Sequence, residues 1–203
     1  AIEDINFQSF DIAEQKLTQV LNVEPTNAYA QYYMGSLLYQ TKRPEQAIPY
    51  LEDVLQGTIR FEGDNKLLAS AYMAANQAEK AAPIYKAILE EDILNQESIF
   101  QYALALEKDL QTDLAIAYYE SLVKDGGAYT DAAHFQIANI NMSLRAYNGA
   151  KYEFGKINPE SAYGPAAKSY IDSLSASLKP LNLYLSYEYF FNDNPGSAAS
   201  TYA

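Results

Sequence analysis

Glu45-Gln-Ala-Ile-Pro-Tyr-Leu51 laid over Glu79-Lys-Ala-Ala-Pro-Ile-Tyr85 shares Glu, Ala and Pro in register, which sets Ala47 and Ala81 34 residues apart. A further step of 34 reaches Ala115 in Leu114-Ala-Ile-Ala-Tyr-Tyr119. A step of 35 then reaches Ala150 in Gly149-Ala-Lys-Tyr-Glu-Phe154, with Gly126-Gly127 placed to hold the extra residue. One step of 34 backwards lands on Ala13 in Ile12-Ala-Glu-Gln-Lys-Leu17. Five copies in register make a repeat. Its period suits a pair of helices that cannot bury its apolar face alone and must stack on its neighbours.

The other positions of the period behave as close-packed helices require. A small residue recurs at Gly35, Ala69, Ala103 and Ala138, and a large one at Leu17, Leu51, Tyr85, Tyr119 and Phe154. Val20, Val54, Ile88, Leu122 and Ile157 form a third series, and Met34, Leu68, Tyr102 and Ile137 a fourth. Small residues at crossing points let helix axes approach, and a large side chain there drives them apart. The pattern resembles the tetratricopeptide repeat (TPR), whose eighth and twentieth positions are the small ones, over roughly residues 10 to 164. Two departures stand out. The family's Trp at position four is replaced by Gln31, Asn65, Ile99 and His134, and its closing Pro falls in register only at Pro25.

The resemblance implies an all-α, right-handed superhelical solenoid. Its expected parts are an N-terminal half-repeat (1–27), four repeats (28–164), an unpaired helix (165–180) and an extended aromatic tail (181–203). The second helix of the first half-repeat is expected over about Asp11 to Asn22. A helix over Tyr163 to Lys179 carries Ala167, Tyr170, Ile171, Leu174 and Leu178 on one face, and Pro180 stops it. The family also binds partners through the first helix of each unit. Carried onto this chain, that implies an aromatic groove lined by Tyr29, Tyr32, Tyr39, Met73, Phe100, Phe135 and Met142. Lys66 and Asn139 match only isolated members of the family's carboxylate clamp, so a receptor for peptide C-termini is not expected.

The segment Leu181-Asn-Leu-Tyr-Leu-Ser-Tyr-Glu-Tyr-Phe-Phe191 breaks the helical period. Leu181, Leu183, Leu185, Tyr187, Tyr189 and Phe191 alternate with more polar positions, the two-residue period of a strand with one apolar face. Left in water such an edge invites aggregation. Buried in a neighbour, the six side chains contribute on the order of 10 kcal/mol gross before ordering costs. This gives two expectations. In the first, copies join head to tail, the tail and the Tyr170–Leu174 helix of one covering Ala13, Leu17, Val20 and Leu21 of the next. A heterologous contact of that kind grows a filament. In the second, the tail resembles the first strand of an outer-membrane barrel that follows periplasmic repeats, its length fitting the roughly 9–11 residues of a spanning strand.

Composition narrows the chemistry. The chain has 203 residues, a net charge of −12, a single histidine and no cysteine. An acidic surface disfavours nucleic-acid and anionic-lipid partners. Without Cys there is no thiolate nucleophile and no Cys-based zinc site. His134 sits at a repeat-packing position, leaving no base for a Ser–His–Asp arrangement. Glu90-Glu91-Asp92 reads as a solvated helix end. Asn192-Asp193-Asn194 lacks the spaced acidic ligands of a calcium loop. No catalytic residue, metal site or cofactor is expected, and no apolar run is long enough for a spanning helix. The chain opens on Ala1 rather than Met, which together with the tail suggests an exported bacterial protein acting in the periplasm, at the outer membrane or beyond the cell.

Overall fold

The computed structural model describes residues 10–176, and every regular element among them is a helix. The elements are α1 (Phe10–Val23), α2 (Ala28–Gln40), α3 (Pro44–Gln56), α4 (Asp64–Ala74) and α5 (Ala78–Glu91). They continue with α6 (Gln96–Lys108), α7 (Thr112–Asp125), α8 (Thr130–Ser143), α9 (Tyr147–Phe154) and α10 (164–176). Four helix pairs, α2/α3 to α8/α9, therefore lie between α1 and α10. The expected strand at Leu181, Leu183, Leu185, Tyr187, Tyr189 and Phe191 lies outside the described residues. The chain forms two compact units, one ending at Tyr129 and one starting at Thr130.

In the first unit each helix packs on the next. The alanines that set the period, Ala13, Ala47, Ala81 and Ala115, are all fully buried, as are Ala69 and Ala103. Gly35 is the tightest crossing: a Cβ there would stand 2.6 Å from Cδ2 of the buried Leu51. The second unit buries Ala138, Ala150, Phe154, Ile157, Ala167 and Leu174 in one cluster.

Between the helices of each pair the chain turns in one way. Lys42, Asn76, Leu110 and Arg145 all adopt φ near +60°, and they recur at steps of 34, 34 and 35. The following amide closes each turn on a carbonyl inside the preceding helix: Arg43 on Leu38, Gln77 on Tyr72, Gln111 on Leu106 and Ala146 on Asn141. This is the left-handed helix stop that glycine normally makes, here made by residues with a Cβ. The connections between pairs use another device. Asn27 and Asn95 cap α2 and α6, accepting the amides of Ala30 and Ser98 at 3.0 Å.

Two of the departures at position four, Gln31 and His134, have hydrogen-bond partners. Gln31 is buried and donates to the Pro25 carbonyl at 3.0 Å and to Asp53 at 3.2 Å, joining the preceding turn to α3. His134 pairs through Nδ1 with Glu153 at 2.7 Å and so ties α8 to α9. Each polar group replaces ring packing with a satisfied hydrogen bond.

Candidate interaction site

The first helices α2, α4 and α6 share one face of the first unit. Lys66 of α4 reaches Glu97 of α6 at 2.6 Å along it. Beside that pair lies an open cavity of about 310 Å³. Tyr39 of α2, Ser70 and Met73 of α4, and Leu104 and Lys108 of α6 form its walls, and Tyr85 of α5 reaches in from behind. Tyr85 is buried along its ring, yet its hydroxyl lies 3.0 Å from Ser70 Oγ. Burial raises the Tyr85 phenol above its ordinary range, against the pull of the Ser70 contact. The phenol therefore stays neutral and able to donate. The result is an apolar trough, Tyr39–Met73–Leu104, with a hydroxyl pair on one side and an ammonium at its rim.

Of the residues expected to line a groove, Tyr39 and Met73 border this one cavity. Tyr29 and Tyr32 sit on the same helix, but Phe61, from the 57–63 connection, stacks on Tyr32 at 4.3 Å and meets Tyr29 edge-on at 5.2 Å. Phe100 is a correction. It is buried between Tyr119 and Tyr129, at ring distances of 5.7 and 5.3 Å, and packs rather than lines a groove. In the second unit Phe135 meets Phe154, Tyr163 and Tyr170, and Met142 packs on the same core.

The residues expected at a self-assembly contact divide in two. Ala13 and Leu17 are not uncovered as an unfinished repeat would leave them: both are buried on α1, which packs on α2. Leu174 is likewise buried in the second unit's core. Val20 remains 42% exposed, Leu21 is half-buried, and Val20 borders a cavity of about 450 Å³ with Val23. Tyr170 is 41% exposed, one face of its ring stacked on Phe154 at 4.8 Å. Among the described residues no group of acidic or histidine side chains could hold a metal ion, and no helix is long and apolar enough to cross a membrane.

Sequence reasoning missed Phe61, Tyr85 and Lys108. Tyr85 falls in the series of large packing residues, which gives no sign that its polar tip emerges on the other side. Phe61 lies in the 57–63 connection, where the unchanged 34-residue step from Ala47 to Ala81 gave no signal for it.

Residues 2–60 match one family model of the tetratricopeptide repeat and residues 97–125 match another. No curated protein matches the chain. Among solved structures, the fold is similar to YrrB, described as a TPR protein with an unusual peptide-binding site. That likeness has a TM-score of 0.66 and 16% identity over 82% of this chain and 87% of YrrB. A form of MamA from Desulfovibrio magneticus RS-1 superposes with a TM-score of 0.65 and 18% identity, over 76% of this chain and 86% of that one. The C-terminal part of a TPR repeat-containing protein from Cytophaga hutchinsonii does so at 0.60 and 20%, over 81% and 69%. At these identities the likeness concerns the fold.

Proposed function

We propose that this chain, which carries tetratricopeptide repeats, is a non-enzymatic interaction scaffold whose first unit holds an extended apolar segment of a protein partner. The observation that carries this reading is the open trough of Tyr39, Met73 and Leu104, an apolar surface shared by α2, α4 and α6. A pocket with apolar walls and a few polar groups suits one anchoring side chain and the backbone beside it.

The partner we favour is a second copy. Leu181–Phe191 supplies an apolar-faced extended segment in the same polypeptide, and Val20 and Val23 of α1 add an exposed apolar edge. Copies joined through these parts form head-to-tail assemblies, with export to the periplasm or beyond as the setting. A synthetic peptide of residues 181–191 is expected to bind the chain truncated after residue 180 and to lose at least tenfold in affinity with Met73→Glu, as roughly 1.4 kcal/mol or more predicts. Light scattering should find the truncated chain monomeric. If it assembles as the intact chain does, the self-association reading fails. If the peptide binds Met73→Glu unchanged, the trough is not the site.

The alternation of Leu181–Phe191 also favours a second reading, in which these repeats precede an outer-membrane barrel and recruit partners to it. Fractionation of the native protein separates the two: retention in the outer membrane after carbonate washing supports the barrel, and release supports the assembly.

A further inference from the structure

A second cavity lies away from the trough, where α5 and α7 flank the start of α6, and has a volume of about 350 Å³. Leu89, Ile93 and Ile99 make its apolar walls, the Tyr118 ring forms one side, and the carboxylates of Glu90 and Asp125 stand at its edge together with the Lys86 ammonium. Three features make it more than a surface crease. Ile99 occupies the position where the repeat family carries Trp, and a short aliphatic chain there leaves room that an indole would occupy. Ile93 is 69% exposed, with nothing over it. The Tyr118 ring is held in place by a T-shaped contact with Tyr102, their centroids 4.9 Å apart.

The charges are also available. Lys86 approaches Glu90 only to 3.9 Å, an exposed pair four residues apart on one helix, and such pairs are weak and easily exchanged. Asp125 has no ion-pair partner among the described residues. An apolar base, an aromatic face and two carboxylates form a combination that one side chain satisfies along its whole length. Arginine lays its methylenes on apolar surface while its planar head stacks on a ring and pairs with carboxylates. The chain's net charge of −12 draws cationic segments toward it.

We infer that this cavity binds an arginine side chain presented by an extended segment of a partner protein. Its stem lies on Leu89, Ile93 and Ile99, and its guanidinium lies against Tyr118, Glu90 and Asp125. The site is separate from the Tyr39–Met73–Leu104 trough, so two segments can be held at once.

The test uses the intact chain and a short serine–alanine peptide with one central arginine, set against the same peptide with citrulline, which keeps shape and loses charge. Followed by methyl NMR, the arginine peptide should shift Ile93 and Ile99 saturably, and the citrulline peptide should bind about tenfold more weakly. Asp125→Asn, an exposed change that leaves packing intact, should weaken arginine binding by a similar factor. Ile99→Trp should abolish it by filling the cavity. Met73→Glu should leave it unchanged, so failure here and failure of the trough are read separately. Equal binding of the two peptides, or indifference to Asp125→Asn, overturns the inference, as does the absence of any saturable shift.

Discussion

Tyr119 donates its phenolic proton to Oε2 of Glu107 at 2.9 Å, from a ring with no exposed surface. The bond joins α7 to α6 across one helix pair, and both groups are held toward their neutral forms. Burial, then the Glu107 charge, drives the Tyr119 phenol far above its ordinary range. Burial raises the Glu107 carboxyl, against the opposing pull of the phenol. Tyr119→Phe keeps the ring and strands the carboxylate, and should cost about 1–3 kcal/mol. Glu107→Gln should stabilise at pH 7, because a carboxyl raised in the fold contributes most below its ordinary value of 4.5 and loses that contribution as pH rises. Urea melts at pH 7 and near pH 3 check both. A Gln gain that persists unchanged in acid would contradict the assignment.

Arg43 reverses that sign at Glu14. Its guanidinium donates to both oxygens, at 3.0 and 2.6 Å, clamping α1 to the turn before α3. The hydrogen bonding and charge of Arg43 outweigh burial and hold the Glu14 carboxyl below its ordinary value. The contribution is present above that value and lost as pH falls through the lower folded one. Both side chains are about a third exposed, so Glu14→Gln should cost no more than about 1 kcal/mol at pH 7. The difference should shrink in acid and in high salt; a cost that survives both would point to packing.

At Gly35 alanine does not fit. Its added Cβ would press within 2.6 Å of Leu51, which is 1% exposed and has no room to swing. Overpacking of this kind costs about 1–3 kcal/mol, set against about 1 kcal/mol of helix propensity gained. Gly35→Ala should therefore be destabilising, whereas the same exchange in an open helix is stabilising. A raised melting temperature would show that the crossing is looser than the distances say. Ala81→Leu or Ala115→Leu should fare worse, since neither residue has any exposed surface.

Leu110 offers the opposite experiment. Its φ of 62° is costly for a residue with a Cβ, and its side chain is 87% exposed and secures little in return. Leu110→Gly should stabilise by about 0.5–1 kcal/mol, while Leu114→Gly, one turn later inside α7, should cost about 1 kcal/mol. Chemical denaturation of the two variants side by side tests the turn geometry directly.

How much of this was legible in advance depends on which physical term set each feature. The buried alanines and Gly35 recur because axis separation is set by side-chain volume, and volume is written in residue type. The expected span of α1, Asp11 to Asn22, lies within the observed Phe10–Val23 for the same reason. The turns were not legible: Lys42, Asn76, Leu110 and Arg145 share a conformation but no chemistry, because the hydrogen bonds that impose it come from backbone groups common to every residue. The trough was half legible. Tyr39 and Met73 followed from the repeat register, whereas the Tyr85 hydroxyl and the Phe61 ring enter from elements that the register assigns to packing or to a connection. Burial of Ala13 and Leu17 went against expectation because contact with α2 was left out of the account of an open end.

The recurring left-handed turn has a consequence for how such a chain changes length. At Lys42 and Asn76 the backbone follows the same path, closed by the same pair of backbone hydrogen bonds. A deletion that joins Lys42 to Gln77, or a duplication of the intervening stretch, would ask no peptide unit at the joint to adopt a conformation it does not already have. Recombination between such points adds or removes whole helix pairs. Each turn is then a seam at which the chain could be cut and rejoined without any new backbone geometry.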